Sequence, residues 1–308
     1  MAVLIKINTG QEMTFHLQTD HKQHMQMGVT FGILAALSLA LMSLMTKLIG
    51  DQVSTSMVVF VRFSISLILI LPSVIKHHKS VIRVANPLKL LFRSIFSLLS
   101  LTSFFYVLKF VPLTEGLLLT NTSTLFIPLI LFALHQIHTS KKIWIGVVLG
   151  FIGIAFVLKP GADFFQPIDL VGLASGFFAA IVYISIRFLT KTNSILQILF
   201  YNFLICSIIS GSFVLFNWKP FNLNVLFLLF AVGVFGAIYQ FFNTLSIAKA
   251  PIRYTSSLQF LSIVFGVPAD FFIWNTIPNR YSLIGIILVI LGGIITIYFG
   301  QKELRTRV

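Results

Sequence analysis

The sequence predicts an all-α polytopic membrane protein, with ten transmembrane helices arranged as two inverted five-helix repeats. Three observations carry that prediction. Of the 308 residues, 57% are hydrophobic and 10% charged, whereas a soluble domain carries about 25% charged residues. The apolar residues gather into ten runs, each near the roughly 20 residues that cross a bilayer as a helix. The last five runs also repeat the first five in a steady register, offset by 140 and then 139 residues.

In chain order, residues 1–26 form a polar tail, expected to be cytoplasmic. The tail holds Glu12, Asp20 and three histidines, with no apolar region leading to a small-residue cleavage site, so no signal peptide is expected. His21 and His24 are three apart, but two imidazoles in a polar tail make a poor metal site. No metal is expected. The ten spans then run 27–49, 54–75, 87–109, 112–133, 141–159, 168–189, 195–216, 223–248, 251–274 and 280–300. Pro72, Pro87, Pro112, Pro160, Pro220, Pro251 and Pro278 mark several of the boundaries. Residues 27–160 make the first repeat, 168–300 the second, and 301–308 a basic cytoplasmic tail. The linkers are too short to hold a soluble domain.

Lys and Arg in the loops set the orientation. With the N-terminus in the cytoplasm, 15 basic residues fall on the inside and 4 on the outside, so both termini are expected there, in a cell inner (plasma) membrane. The same dispersion argues against nucleic acid as the partner of a chain of net charge +14: these cations are topology signals, not one folded patch. Cys206, the only cysteine, has no disulfide partner in the chain and sits in an apolar run.

Sliding the chain by 140 residues places Gly32 on Gly172, Ala36 on Gly176, Lys47 on Arg187 and Lys109 on Lys249. After a one-residue slip, an offset of 139 places Pro112 on Pro251, Gly146 on Gly285 and Gly153 on Gly292. Five spans per half is an odd number, so the second half enters the membrane from the opposite face. Inverted repeats of this kind place a substrate site near the midplane, between the halves. The glycine pairs 146/150 and 172/176, four apart, read as close helix packing.

Motifs of catalysis are absent. There is no H-E-x-x-H and no phosphate-binding G-x-x-x-x-G-K-[ST], and none of the seven histidines lies deep in a span. No enzyme activity and no cofactor are expected. Ionisable groups inside the spans are the better lead, because burying one is costly unless it meets water or a partner. Arg62 lies eight residues into the second span. It reads either as a cavity cation for a carboxylate or phosphate, or as a structural or snorkelling side chain. Arg93 lies six residues past Pro87 and reads as snorkelling or as a second such cation. Glu115 follows Pro112 and reads either as a first-turn acid on a helix dipole or as a cavity acid that binds an ammonium or exchanges a proton. Asp270, near the end of the ninth span, reads as interfacial.

The fourth span carries Thr120-Asn121-Thr122-Ser123-Thr124, followed by Pro128. Five helical positions sweep more than a full turn, and Asn121 cannot hide its amide on its own backbone as Ser and Thr hide hydroxyls. This span is therefore expected to be surrounded by protein or water and to be irregular before Pro128. Tyr254, Ser256, Ser257 and Gln259 make the ninth span its counterpart. Aromatic residues including Phe104, Phe105, Tyr106, Tyr239, Phe241 and Phe242 either line a pocket beside these spans or pack in lipid and core.

The stretch FFYVLKFVPLTEGLLLTNTSTLFIPLI at 104–130 resembles the signature region of EamA-type transporters of the drug/metabolite transporter superfamily. Arg93, Phe104 to Tyr106, Pro112, Leu113, Glu115 and Ser123 fall on that family's positions. IGVVLGFIGIAFVLKPG at 145–161 is similar to its fifth helix and LIGIILVILGGIITI at 283–297 to its tenth. Two departures are Gly116 in place of the usual Ala and ALHQIHTSKKI, which lacks the family's Gly-Glu. The resemblance implies a central cavity lined by helices 1–4 and 6–9 with helices 5 and 10 behind it. It also implies export or uptake of metabolites such as amino acids, S-adenosylmethionine or purines.

The expected function is secondary transport of a small polar zwitterion, an amino acid or S-adenosylmethionine-like compound, by alternating access. Flipping of a lipid or lipid-linked sugar is the alternative. The expected substrate-binding residues are Arg62, Arg93, Tyr106, Glu115, Asn121, Tyr239, Tyr254 and Gln259. A small molecule and the lipid bilayer are the expected partners, with Glu115 there either to meet an ammonium or to relay a coupling proton, in a monomer or homodimer.

Overall fold

A computed structural model describes residues 25–135, 141–157, 166–216, 218, 220–276 and 280–306. Nearly all of the polar tail expected at 1–26 lies outside them. Regular structure among the described residues is entirely helical: α1 (Met25–Ile49), α2 (Thr55–Lys76), α3 (His78–Ile82), α4 (Pro87–Val107), α5 (Leu113–Asn121), α6 (Ser123–His135), α7 (Lys141–Val157), α8 (Pro167–Leu189), α9 (Ile195–Val214), α10 (Leu223–Lys249), α11 (Ile252–Leu258), α12 (Leu261–Trp274) and α13 (Arg280–Thr306).

Local chemistry explains many of the boundaries. Ser54 accepts from the Met57 amide to start α2, and Ser194 with Gln197 forms a capping box at α9. Pro87 and Pro167 open α4 and α8, where a missing N–H costs nothing. Gly50, at φ 55°, ends α1 in the left-handed conformation.

Among the described residues, eight stretches are long and apolar enough to cross a bilayer, including Leu113–Ala133 and Thr255–Trp274, each of which joins two helices. Trp144–Phe156 in α7 and Arg280–Ile295 in α13 are apolar but shorter. The expected fourth and ninth spans are therefore each broken, at Thr122 and at Gln259–Phe260. The first break comes within the polar run, while Pro128 lies inside α6.

Packing between the halves is reciprocal. A Cβ at Gly32 would stand 2.4 Å from Leu258 Cδ1, and one at Gly172 2.5 Å from Leu119 Cδ1; these two pairs exchange under the repeat offsets. A Cβ at Gly153 would lie 2.7 Å from the Gly285 carbonyl, and one at Gly292 2.5 Å from the Gly146 carbonyl. Equivalent helices α7 and α13 thus run antiparallel with their glycine backbones in contact, the relation an inverted repeat requires. The other large contacts pair α1 with α10, α4 with α8 and α2 with α9.

Candidate functional site

Polar residues converge where α1, α2, α4, α5, α8 and α10 meet. A cavity of about 50 Å³ lies there, lined by Arg62, Ser97, Thr120, Tyr183, Tyr239, Gln240 and Asn243 among others. Its volume suits a few water molecules, at roughly 10–15 Å³ each, so an amino-acid-sized molecule enters only when the walls separate. α7 and α13 pack against each other and contribute nothing to the lining.

Arg62 is the cation of this cavity and is 1% exposed. Its Nη2 donates to the Gly236 carbonyl at 3.2 Å and to Gln240 Oε1 at 3.4 Å. The guanidinium lies 4.2 Å from the Phe63 ring centroid and 5.6 Å from that of Phe203. Glycine at 236 makes this possible, since a Cβ there would stand 2.7 Å from Arg62 Nε. Arg62 Nε and Nη1 have no protein partner. The hydroxyls of Tyr183 and Tyr239 meet at 3.0 Å on the neighbouring wall.

The polar run braces the two broken spans against each other. Asn121 Nδ2 donates to the Gln259 carbonyl at 3.1 Å and to Ser262 Oγ at 2.9 Å. Thr124 Oγ1 donates to the Ser256 carbonyl at 3.0 Å. Backbone oxygens at one break thus receive side chains from the other, which stabilises the interrupted helices. Thr120 and Ser175 share a hydrogen bond of 2.6 Å. Gln259 Nε2 reaches Asn243 Oδ1 at 3.5 Å, linking the braces to the cavity wall.

Of the residues expected to bind substrate, Arg62 and Tyr239 line the cavity, with Asn121 and Gln259 behind its wall. Arg93 is fully buried, not snorkelling, one turn of α4 away from Ser97. Two expectations are corrected. Tyr106 is 44% exposed and packs edge-on with Phe110 at 5.1 Å. The cavity face of α4 passes through Ser97, Leu101 and Phe104, and two further residues turn a helix about 200° away. Glu115 is half-buried in the first turn of α5, most of a helical turn and a half before the cavity residue Thr120. The side chain of Tyr254 lies outside the described residues.

Tyr183, Gln240 and Asn243 were not expected in the site. Two amides in the apolar span 223–248 were nevertheless a signal in the sequence, because an amide in lipid lacks partners. Asp270, near the end of the ninth span, is buried in protein. It is 1% exposed and accepts from the Leu113 and Thr114 amides at 2.9 and 2.7 Å, capping α5 from across the bundle.

Comparison with known proteins identifies the arrangement. The model of the EamA-like transporter family matches residues 26–159 and again 166–298. The chain belongs to the EamA-like transporter family. This EamA-like chain is a multi-pass membrane transport protein, and it is similar over its length to curated relatives. It is 28% identical over 282 residues to an S-adenosylmethionine uptake transporter of Rickettsia conorii, covering 91% of this chain and 95% of that one. The corresponding protein of Rickettsia bellii is 26% identical over 283 residues, covering 91% and 97%. The pseudopaline exporter CntI of Pseudomonas aeruginosa is 23% identical over 270 residues, covering 86% and 94%. A solved crystal structure shares the fold at a TM-score of 0.66 and 16% identity, covering 90% of this chain and 98% of that one.

Proposed function

We propose that this EamA-like chain is a secondary transporter of a small zwitterionic metabolite, with S-adenosylmethionine the first compound to test. The observation that carries the reading is Arg62: a buried guanidinium on the cavity wall with two N–H-bearing nitrogens free of protein partners. A carboxylate oxygen accepts a charge-assisted hydrogen bond from either of them; the two lie on different edges of the guanidinium, because the fork beside Nε is completed by Nη2, which already donates to Gly236 and Gln240. The opposite pole of the zwitterion meets aromatic faces, since Phe104, Tyr183 and Tyr239 share the cavity and attract a cation through their rings. Curated relatives that take up S-adenosylmethionine support this substrate class.

The mechanism in this reading is alternating access in the inner membrane. In it α7 and α13 complete ten crossings, and the basic-residue asymmetry of the loops supports cytoplasmic termini. The cavity is contracted in the structure, and the braced breaks at Thr122 and Gln259 are the places where the two repeats hinge. Glu115 lies outside the cavity, which favours proton exchange over ammonium binding as its role.

Uptake of labelled S-adenosylmethionine by proteoliposomes tests the reading directly. Wild-type protein should show saturable uptake, and Arg62→Lys should lower it by about 10–100-fold, the worth of one lost charge-assisted hydrogen bond. Arg62→Lys protein that folds and transports like wild type would sink the proposed role.

A further inference from the structure

A second buried arginine has no job in the cavity. Arg93 is 0% exposed, and none of its three side-chain nitrogens has a protein hydrogen-bond partner. It sits on α4 four residues before the cavity residue Ser97, so it occupies the same helix face one turn nearer the α4 N-terminus. On α9, which packs against α4, Asn202 is also 0% exposed, and its Nδ2 is a second buried donor without a protein partner. Cys206 ties the two helices together here, its Sγ donating to the Ser94 carbonyl at 3.3 Å and reaching Asn202 Oδ1 at 3.7 Å. Arg62 and Arg93 lie within electrostatic reach of each other and of Cys206. The one buried carboxylate among the described residues, that of Asp270, is occupied at the start of α5.

Two deeply buried guanidiniums with unused donors and no carboxylate between them are held at a cost that a bound anion would offset. The unpartnered side-chain atoms of Arg93 and Asn202 are all donors, which together with the positive charge favours an anion over a cation.

We propose that Arg93 and Asn202 form a second anion station, one helical turn beyond the cavity, which accepts a carboxylate-sized monoanionic group. Two sources share that chemistry. One is a free anion such as chloride. The other is the carboxylate of the transported zwitterion on its way between Arg62 and the α4 N-terminal side; this second source rests on the function proposed above, and the first does not. Either way, the positive field of two arginines is neutralised in the filled state, which is the state the protein favours.

Thermal unfolding of the full-length protein in detergent tests the station. Chloride, acetate or S-adenosylmethionine is titrated against gluconate at constant ionic strength. With a free anion as occupant, chloride or acetate should raise the wild-type Tm by about 2 °C or more. Arg93→Gln should abolish that rise, and Asn202→Leu should reduce it. With the substrate's own carboxylate as occupant, S-adenosylmethionine should raise Tm while its methyl ester and chloride do not. The rise should again fall in both variants. The quantity read is the ligand-dependent difference within each variant, which a purely structural role would leave intact. Where Arg93→Gln does not fold, Asn202→Leu and the wild-type titrations decide. No shift with any of these ligands, or an unchanged shift in the folded variants, would overturn the proposal. Failure of the transport reading is separable, because it shows as undiminished uptake by Arg62→Lys whatever the anion.

Discussion

The two ends of the helix bundle are built from equivalent residues and held shut by different chemistry. At one end, Lys47 in the last turn of α1 donates to the carbonyls of Leu108 and Val111. At the other, its counterpart Arg187 donates to the Ile247 carbonyl at 3.0 Å. Each cation thereby closes the C-terminal end of a helix in the opposite position of the fold, α4 in one case and α10 in the other, where the dipole welcomes positive charge. There the likeness stops. The Lys47 end adds the buried carboxylate of Asp270 on the α5 amides, with Glu115 within electrostatic reach of Lys47. Lys47 also lies 5.3 Å from the Trp274 ring centroid. Under the offset of 139, Leu131 stands where Asp270 would be and Tyr254 where Glu115 would be. The Arg187 end relies instead on neutral bonds, such as Gln197 Nε2 to the carbonyls of Ser80 and Arg83 at 2.7 and 2.8 Å. An inverted repeat supplies two similar gates, and side-chain charge makes them unequal.

Converting one end into the other is the strongest way to break this comparison. Asp270→Leu installs the residue that its repeat partner already carries. It also strands the Leu113 and Thr114 amides and leaves Lys47 without a buried counter-charge. A loss of about 3–5 kcal/mol is expected, the range for removing one member of a buried charged network, read as a large fall in Tm in detergent. A variant as stable as wild type would mean that the Lys47 end is not held by charge.

Glu115 sharpens the comparison on the functional side, with a smaller effect on stability. It belongs to the Lys47 end and has a tyrosine as counterpart, so coupling chemistry placed on it is available at one end only. Glu115→Gln protein should fold and still take up substrate in the absence of a gradient. Stimulation of uptake by an imposed proton gradient, measured in the same vesicles, should disappear. Gradient stimulation equal to wild type would remove Glu115 from the coupling path.

How much of this was legible in the sequence follows from what a one-dimensional pattern can carry. The repeat offsets placed Gly153 on Gly292 and Gly146 on Gly285, and those glycines do meet across α7 and α13. Periodic backbone features survive reading because both partners sit in the pattern. Arg62 was legible because a charge in an apolar run has few explanations. The capping role of Asp270 was not legible because its partners, the amides of Leu113 and Thr114, are 157 and 156 residues away and carry no side-chain signal. Tyr106 was misassigned by grouping it with Phe104, although two positions on a helix point to nearly opposite sides. Gln240 and Asn243 lie inside a strongly apolar run, where an uncharged amide stands out less than a charge.

The smallest expected effect compares the two terminal cations directly. Arg187→Met removes one donor from the Ile247 carbonyl at an end where no carboxylate is left unpaired, so a loss of about 1 kcal/mol is expected, typical of a single hydrogen bond. Lys47→Met removes donors from two carbonyls and also leaves Asp270 and Glu115 without their nearby cation. Its loss should therefore exceed that of Arg187→Met by about twofold, and it should grow at low salt, where the buried carboxylate of Asp270 and the half-buried one of Glu115 repel with less screening. Thermal unfolding of both variants at two ionic strengths reads the difference. Equal losses with equal salt dependence would show that the carboxylates at the Lys47 end contribute nothing beyond the shared carbonyl contacts, and that the two gates are electrostatically alike.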